Sequence, residues 1–417
     1  MATFKTISDG NIQTTRNVLN QLVDFVTGDV SGSATRKKYQ VFVTGTSAGS
    51  NPGVTSSLFQ TVYDQNFALQ TSNELFDLTV GLFDGSGIVT GSSTGTDSSG
   101  KKLFPSNSLM MREKVANYSQ MAQILLGDST ARFTAPFSEP AADGTDNIDV
   151  ALFVPMKRLF VRDGIKRETF AMRFHSSCSA AEPALDGDLS ANGRDNIFFP
   201  VPSTTSSQIY TDVGAASAVQ VSNQGGAVGN IVNSSATSNP AVGLLFYDYG
   251  IAVYDLAKIT SGTQRFSGSI QAAYNPGTAV EDPVLPDSHV VMDGNFIPDF
   301  IVSASLDQIV DHVATVRFGS ASADTFMTFQ NNTFINSTLY FCRATADEFN
   351  FSSNPTYKDA NGKIVVVDES TIQKAFSFVT TVGLYNANED LLAVAKLSRP
   401  VLKNDEKDLT FRVRLDF

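Results

Sequence analysis

Phe376 to Phe417 reads FSFVTTVGLYNANEDLLAVAKLSRPVLKNDEKDLTFRVRLDF. It is a string of short apolar runs, rich in β-branched and aromatic residues, separated by Asn/Asp-rich turns. Such residues fill a pleated surface, and Asn, Asp and Gly accept the backbone angles of tight turns. The segment therefore reads as successive strands, closing on a terminal strand from Leu409 to Phe417. Pro400 has no N–H to give a ladder and ends the strand before it. Lys403-Asn404-Asp405-Glu406-Lys407 is a mixed-charge turn. A terminal strand of this composition packs on a sheet edge, its own or a neighbour's.

The same reading extends upstream. Tyr39–Val43, Leu75–Phe83, Ile165–Phe174, Val242–Ile259 and Phe326–Cys342 have strand patterns, while 57–70 and 309–318 fit either strand or helix. Two helices are expected. One runs from Asn11 to Val26, with Val18, Leu19, Leu22, Val23 and Val26 at helical spacing and Gly28 as its stop. The other runs from Ser108 to Leu126, with Leu109, Val115, Met121, Ile124 and Leu125 as its apolar face and Gly127 after it. Residues 85–102 and 176–240 are Gly/Ser/Asn-rich and read as loops around short strands.

Three segments repeat one shape: Thr79–Phe83, Val242–Tyr247 and Thr381–Tyr385. Each is a Val-Gly-Leu strand ending on an aromatic, followed by a polar turn and a returning apolar run, the pattern of a β-hairpin. The expected fold is mainly β, with multidomain β-sandwich-like modules and a few helices. The expected division is an N-terminal α+β domain over 1–175, a loop-rich β domain over 176–325 and a C-terminal β domain over 326–417. A chain of 417 residues exceeds one ordinary core.

Composition narrows the function. The charged fraction is 17%, below the roughly 25% of ordinary soluble domains. The net charge of −12 argues against general binding to nucleic acid or acidic membranes, which needs basic surface. The start of the chain lacks a basic-then-apolar leader and no run of 18 apolar residues occurs, so a soluble protein made in the cytosol is expected. Cys178 and Cys342 read as reduced thiols, with no disulfide framework.

The search for chemistry yields little. No phosphate loop or nucleophile elbow occurs, and Gln224–Asn230 (QGGAVGN) lacks the lysine a phosphate loop needs. His175 and Cys178 have chelating spacing without a second pair to complete a tetrahedron; His289 and His312 stand alone. Asp307 and Asp311 approach His312 if their segment is helical, but carboxylates alone make no catalyst. Sugar sites stack substrates on tryptophan, and Trp is absent. No catalytic residue, cofactor or metal is expected. What stands out is a basic stretch, Lys157, Arg158, Arg162, Lys166, Arg167 and Arg173, suited to an acidic neighbouring subunit. The 31 Phe also stand out, among them Phe349, Phe351, Phe376, Phe378, Phe411 and Phe417.

Glu348–Thr356 (EFNFSSNPT), Thr380–Tyr385 (TTVGLY), Leu391–Pro400 (LLAVAKLSRP) and Leu409–Phe417 (LTFRVRLDF) together resemble virion structural proteins of T4-like contractile-tailed bacteriophages, those of marine cyanophages in particular. Arg36–Val43 and the SLMMREKV run from Ser108 resemble the same group; the likeness weakens over 180–290. The resemblance implies a tail subunit of the baseplate, localised in the virion and assembled in the host cytoplasm, and the reading adopted is a wedge component. Its partners would be other tail or baseplate subunits in a homo- or hetero-oligomer, without nucleic acid or membrane insertion. Lys157, Arg158, Arg162, Lys166, Arg167, Phe349, Phe351, Phe411 and Phe417 are the interface candidates. The alternatives are a host-receptor or fibre-attachment protein, a neck or capsid-decoration protein, and a tail-borne hydrolase.

Overall fold

A computed structural model describes residues 4–31, 33–43, 53–88, 109–137, 144–181, 199–203, 205–217, 220–265, 293–319, 324–352, 354–361, 364 and 375–416. The fold is mainly β. Its strands are β1 (Ile12–Val26), β2 (Arg36–Val43), β3 (Gly53–Tyr63), β4 (Glu74–Leu82), β5 (Val150–Pro155), β6 (Ala171–His175), β7 (Ser207–Thr211), β8 (Gln220–Ser222), β9 (Gly226–Asn233), β10 (Ala241–Phe246), β11 (Ile251–Asp255), β12 (Thr325–Ala344), β13 (Phe376–Tyr385), β14 (Leu391–Asn404) and β15 (Leu409–Asp416). Short two-stranded pieces complete them. The longest helix is α1 (Leu109–Leu125), and α2 (Leu306–His312) lies within a run of short helical turns from Phe296 to Arg317.

The large sheet has the order β1-β12-β6-β7-β9-β10-β11-β5-β4-β3-β2, with β8 on β9 and β15 on β12. Its defined registers are antiparallel. The central strands are buried on both faces, which explains their unbroken apolar runs. In β5, Val150, Leu152 and Val154 enter one core with Phe25, Phe300, Leu306, Ile309 and Phe326. Ala151 and Phe153 enter a second core with Tyr118, Ala122, Leu125 and Phe133. The helical run from Phe296 thus contributes to the first core and α1 to the second. Each fully buried Phe side chain contributes about 2–3 kcal/mol by leaving water.

In the first Val-Gly-Leu strand Gly81 answers a packing need: a Cβ there would lie 2.8 Å from the Phe153 ring and 2.9 Å from Tyr118 Cα. The missing side chain lets α1 approach β4. Two of the three repeated shapes form hairpins, β10–β11 and β13–β14. The first does not. Residues 84–88 turn, and β4 pairs instead with the preceding strand β3 and with the distant β5, which occupy both of its edges in place of the hairpin expected at Asp84-Gly85.

The expected helix from Asn11 to Val26 is also corrected: Ile12–Val26 is strand β1, beside β12. Ile12, Thr14, Thr15, Val18, Val23 and Val26 are β-branched, stiff at χ1 and suited to a ladder. Phe25 anchors the strand in the core among Phe76, Phe160, Phe326 and Phe329. In α1 the buried face is Met111, Tyr118, Ala122 and Leu125, whereas Ile124 is exposed.

The chain divides into two compact units, Asn20–Thr333 and Met1–Leu19 with Phe334–Phe417. The expected boundary at 175/176 falls inside a sheet, because β6 pairs with β7. The boundary expected at 325/326 falls inside β12. The second unit is electrically balanced, with 12 Lys/Arg against 12 Asp/Glu; the first holds the remaining 18 against 30, the whole net charge of −12. No helix among the described residues is long and apolar enough to cross a membrane.

Candidate functional site

The basic stretch lies in the Asn20–Thr333 unit and is held on both sides. A short helix, Arg158–Val161, ends at Arg162, whose φ of 60° turns the chain back. The following residues are stitched to β12: Asp163 N–H donates to the Asn332 carbonyl at 3.0 Å, Asn332 N–H to Gly164 at 2.8 Å and Lys166 N–H to Gln330 at 2.8 Å. Asn331 Nδ2 donates to the Phe160 carbonyl at 2.7 Å. From the other side Asp212 accepts from the amides of Glu168 and Phe170 and from the Tyr247 hydroxyl, at 2.7, 3.1 and 2.8 Å. Burial pushes the Asp212 carboxyl up, against these three donors.

This frame sorts the six cations. Lys157 sits between Asp77 at 2.9 Å and Glu74 at 3.1 Å. Lys166 Nζ donates to Gln330 Oε1 at 3.1 Å. Arg167 lies over the Tyr247 ring at 5.6 Å, and Arg173 pairs with Asp324 at 3.5 Å. Arg158 and Arg162, one helical turn apart, are exposed. They line an open hollow of about 350 Å³ with Leu159, Asp163 and Thr333. Two guanidinium groups beside an exposed leucine suit a carboxylate on an apolar surface. They are too few for a nucleic-acid track.

In the second unit the aromatic candidates are mostly half-covered. Phe349 has a φ of 54°, and its carbonyl accepts from Ser377 Oγ at 3.4 Å. Lys358 Nζ lies 5.9 Å from the centre of the Phe351 ring. Phe411 is half-buried in β15, opposite Cys342 on β12. Phe417 lies outside the described residues. The resembling stretch around Asn350 is an internal brace. Lys403, fully buried, donates to the Ala346 carbonyl at 3.0 Å, to Asn350 Oδ1 at 2.9 Å and to the Asn404 carbonyl at 2.8 Å. It ties the 346–350 loop to the foot of the β13–β14 hairpin.

Exposed apolar side chains of this unit include Phe4 and Ile12, Val18 and Leu19 of β1, and a further group lies on the hairpin. Phe378 is 55% exposed, Leu392 69% and Val394 58%, with Tyr385 and Leu391 alongside. The hairpin is a two-stranded sheet, so each strand has one edge without a ladder among the described residues.

The residues suspected of chemistry do not converge. Asp307 and Asp311 both accept from Gln60 Nε2, at 3.4 and 3.0 Å, and Arg36 pairs with Asp311 at 3.2 Å. His312 is buried and accepts at Nε2 from Arg317 Nε at 3.2 Å, beside the rings of Phe296 and Phe300. Burial and the Arg317 cation drive its pKa well below the usual imidazole range. His175 Nδ1 lies 3.2 Å from the Ser203 carbonyl oxygen. Cys178 is buried and unbridged. His289 lies outside the described residues. Among the described residues no three His, Cys, Asp or Glu side chains are placed to hold a metal.

Three buried cations escaped the sequence reading: Arg317, Lys403 and Lys114, whose Nζ donates to the carbonyls of Ile301 and Ala304. Burial lowers the Lys114 amine to about 7. The available signal was a charge on an otherwise inward-facing position. No family model matches the chain, and neither a curated protein nor a solved structure is similar to it.

Proposed function

We propose that the chain is a non-enzymatic structural subunit that works by assembly, and that its place is the tail of a contractile phage, in the baseplate wedge. The observation that carries the assembly reading is the β13–β14 hairpin. A lone two-stranded sheet is marginal in water, yet this one exposes Phe378, Tyr385, Leu391, Leu392 and Val394. A hairpin of that kind gains stability when a neighbour covers it. The exposed guanidinium groups of Arg158 and Arg162, without an ion pair among the described residues, add a second contact of opposite character, which would set orientation more than affinity. The placement in a phage tail rests on the resemblance of the closing eighty residues.

The closing strand β15 pairs with 337–344 of its own chain, so docking falls to the hairpin ahead of it. The test is mass spectrometry of purified particles from a phage encoding this chain. It should be present at structural stoichiometry, and Leu392→Asp with Val394→Asp should strip it from particles. A chain missing from wild-type particles, or one incorporated normally with both substitutions, overturns the reading.

A further inference from the structure

A left-handed backbone angle is easy for glycine and strained for other residues, and such strain gathers at binding and catalytic sites. Among the described residues five that are not glycine adopt it: Arg162, Glu168, Asn239, Phe349 and Glu389. Asparagine tolerates the angle. Glu168 is tied into the fold by its carboxylate, which accepts from the Ala216 amide at 3.2 Å, and Phe349 by its carbonyl, which accepts from Ser377 Oγ at 3.4 Å. Arg162 and Glu389 remain. Both are exposed, they are opposite in charge, and neither side chain makes a hydrogen bond or ion pair among the described residues. Glycine at either position would relieve the backbone and lose the charge.

Glu389 stands at the tip of the β13–β14 hairpin, in a turn that is tightly bonded. Asn386 Oδ1 accepts from the amides of Asn388 and Asp390 at 2.9 and 2.8 Å, and Asn386 Nδ2 donates to Asp390 Oδ2 at 3.0 Å. The Asn386 amide donates to the Asp390 carbonyl at 3.0 Å, and the Glu389 amide to the Asn386 carbonyl at 3.2 Å. Asp390 thus holds the turn, while Glu389 is left exposed ahead of exposed Leu391 and Leu392. A tip fixed in this way has little freedom to lose on binding. Arg162 belongs to the hollow. Its lining sets the guanidinium groups of Arg158 and Arg162 against the one carboxylate of Asp163, a single positive charge in excess, beside exposed Leu159. The tip offers the complement: one carboxylate followed by two leucines.

We infer that the hairpin tip of one copy of this chain seats in the Arg158–Arg162 hollow of a second copy. Glu389 accepts from the two guanidinium groups, and Leu391 and Leu392 cover Leu159. The contact is heterologous, so each pairing leaves one tip and one hollow unused, and association continues into a ring or a filament. This inference rests on the assembly reading and names the occupant of its cationic surface.

The test is sedimentation velocity of the full chain over a range of concentrations, where association beyond a dimer is expected. Glu389→Gly removes the carboxylate, and Arg158→Ala with Arg162→Gly removes both cations. Glycine suits both backbones, so melting temperatures should not fall; Arg162→Gly alone replaces the double variant if that one melts early. Each variant by itself should associate about tenfold or more weakly. An equimolar mixture should regain one contact, between the intact tip of one variant and the intact hollow of the other, and stop at heterodimers. A wild-type chain that is monomeric at every concentration overturns the proposal. So does association that neither variant weakens, or a mixture that associates no better than its components. The assembly reading, judged by particle content, would survive each of those results.

Discussion

His312 accepts from a fully buried arginine, and its neutrality is enforced first by burial and then by that neighbour. In the unfolded chain its imidazole titrates near 6.5; in the folded chain it titrates well below. Between those values the unfolded state holds a proton that the folded state lacks. The stabilisation is therefore complete above pH ~6.5 and is lost as pH falls, by up to about 1.4 kcal/mol per pH unit. His312→Gln keeps an acceptor for Arg317 Nε without titrating. Denaturant unfolding of both chains across mildly acidic pH should show that the variant has lost this slope. The comparison matters because Asp255, pushed up to about 6 chiefly by burial, acts with the opposite sign: its folded form holds the extra proton, so its contribution falls as pH rises towards 6. Gly81→Ala tests a different constraint. Its Cβ would meet the Phe153 ring and Tyr118 Cα, and α1 must shift to admit it, at about 1–3 kcal/mol. A lowered melting temperature checks this.

At the scale of elements, the basic stretch owes its position to a residue outside it. Asp212→Ala removes the acceptor for two amides and the Tyr247 hydroxyl. The expected loss is about 2–4 kcal/mol, with faster hydrogen exchange at Glu168 and Phe170. Little of this was legible beforehand. The cations of 157–173 were plain in the sequence, but their sorting into paired Lys157 and Arg173 and exposed Arg158 and Arg162 depends on where Asp77, Glu74 and Asp324 arrive. The helix at 109–125 was legible because its ends and period agree, although rotation of the buried face brought Tyr118 inward and left Ile124 outside. The strand at 12–26 was misread because five apolar residues happen to fall at helical spacing, while pairing with β12, a partner some three hundred residues away, decides the conformation.

For the whole molecule, the closing strand is a structural requirement of its own unit. Removing Leu409–Phe417 bares β12 from Ser337 to Ala344, an eight-residue ladder in β15. A chain ending at Asp408 should aggregate, and size-exclusion chromatography with light scattering measures it. The sequence by itself determined that the chain is mainly β, where most strands lie, which helix follows residue 108 and that the closing segment is a set of strands. These are local matters of residue shape, turn chemistry and period. Tertiary structure alone decided which strands neighbour one another, that unit boundaries fall within β1 and β12, and that β15 closes its own sheet. Pairing partners are chosen by burial summed over the whole chain, and no window of sequence contains that sum.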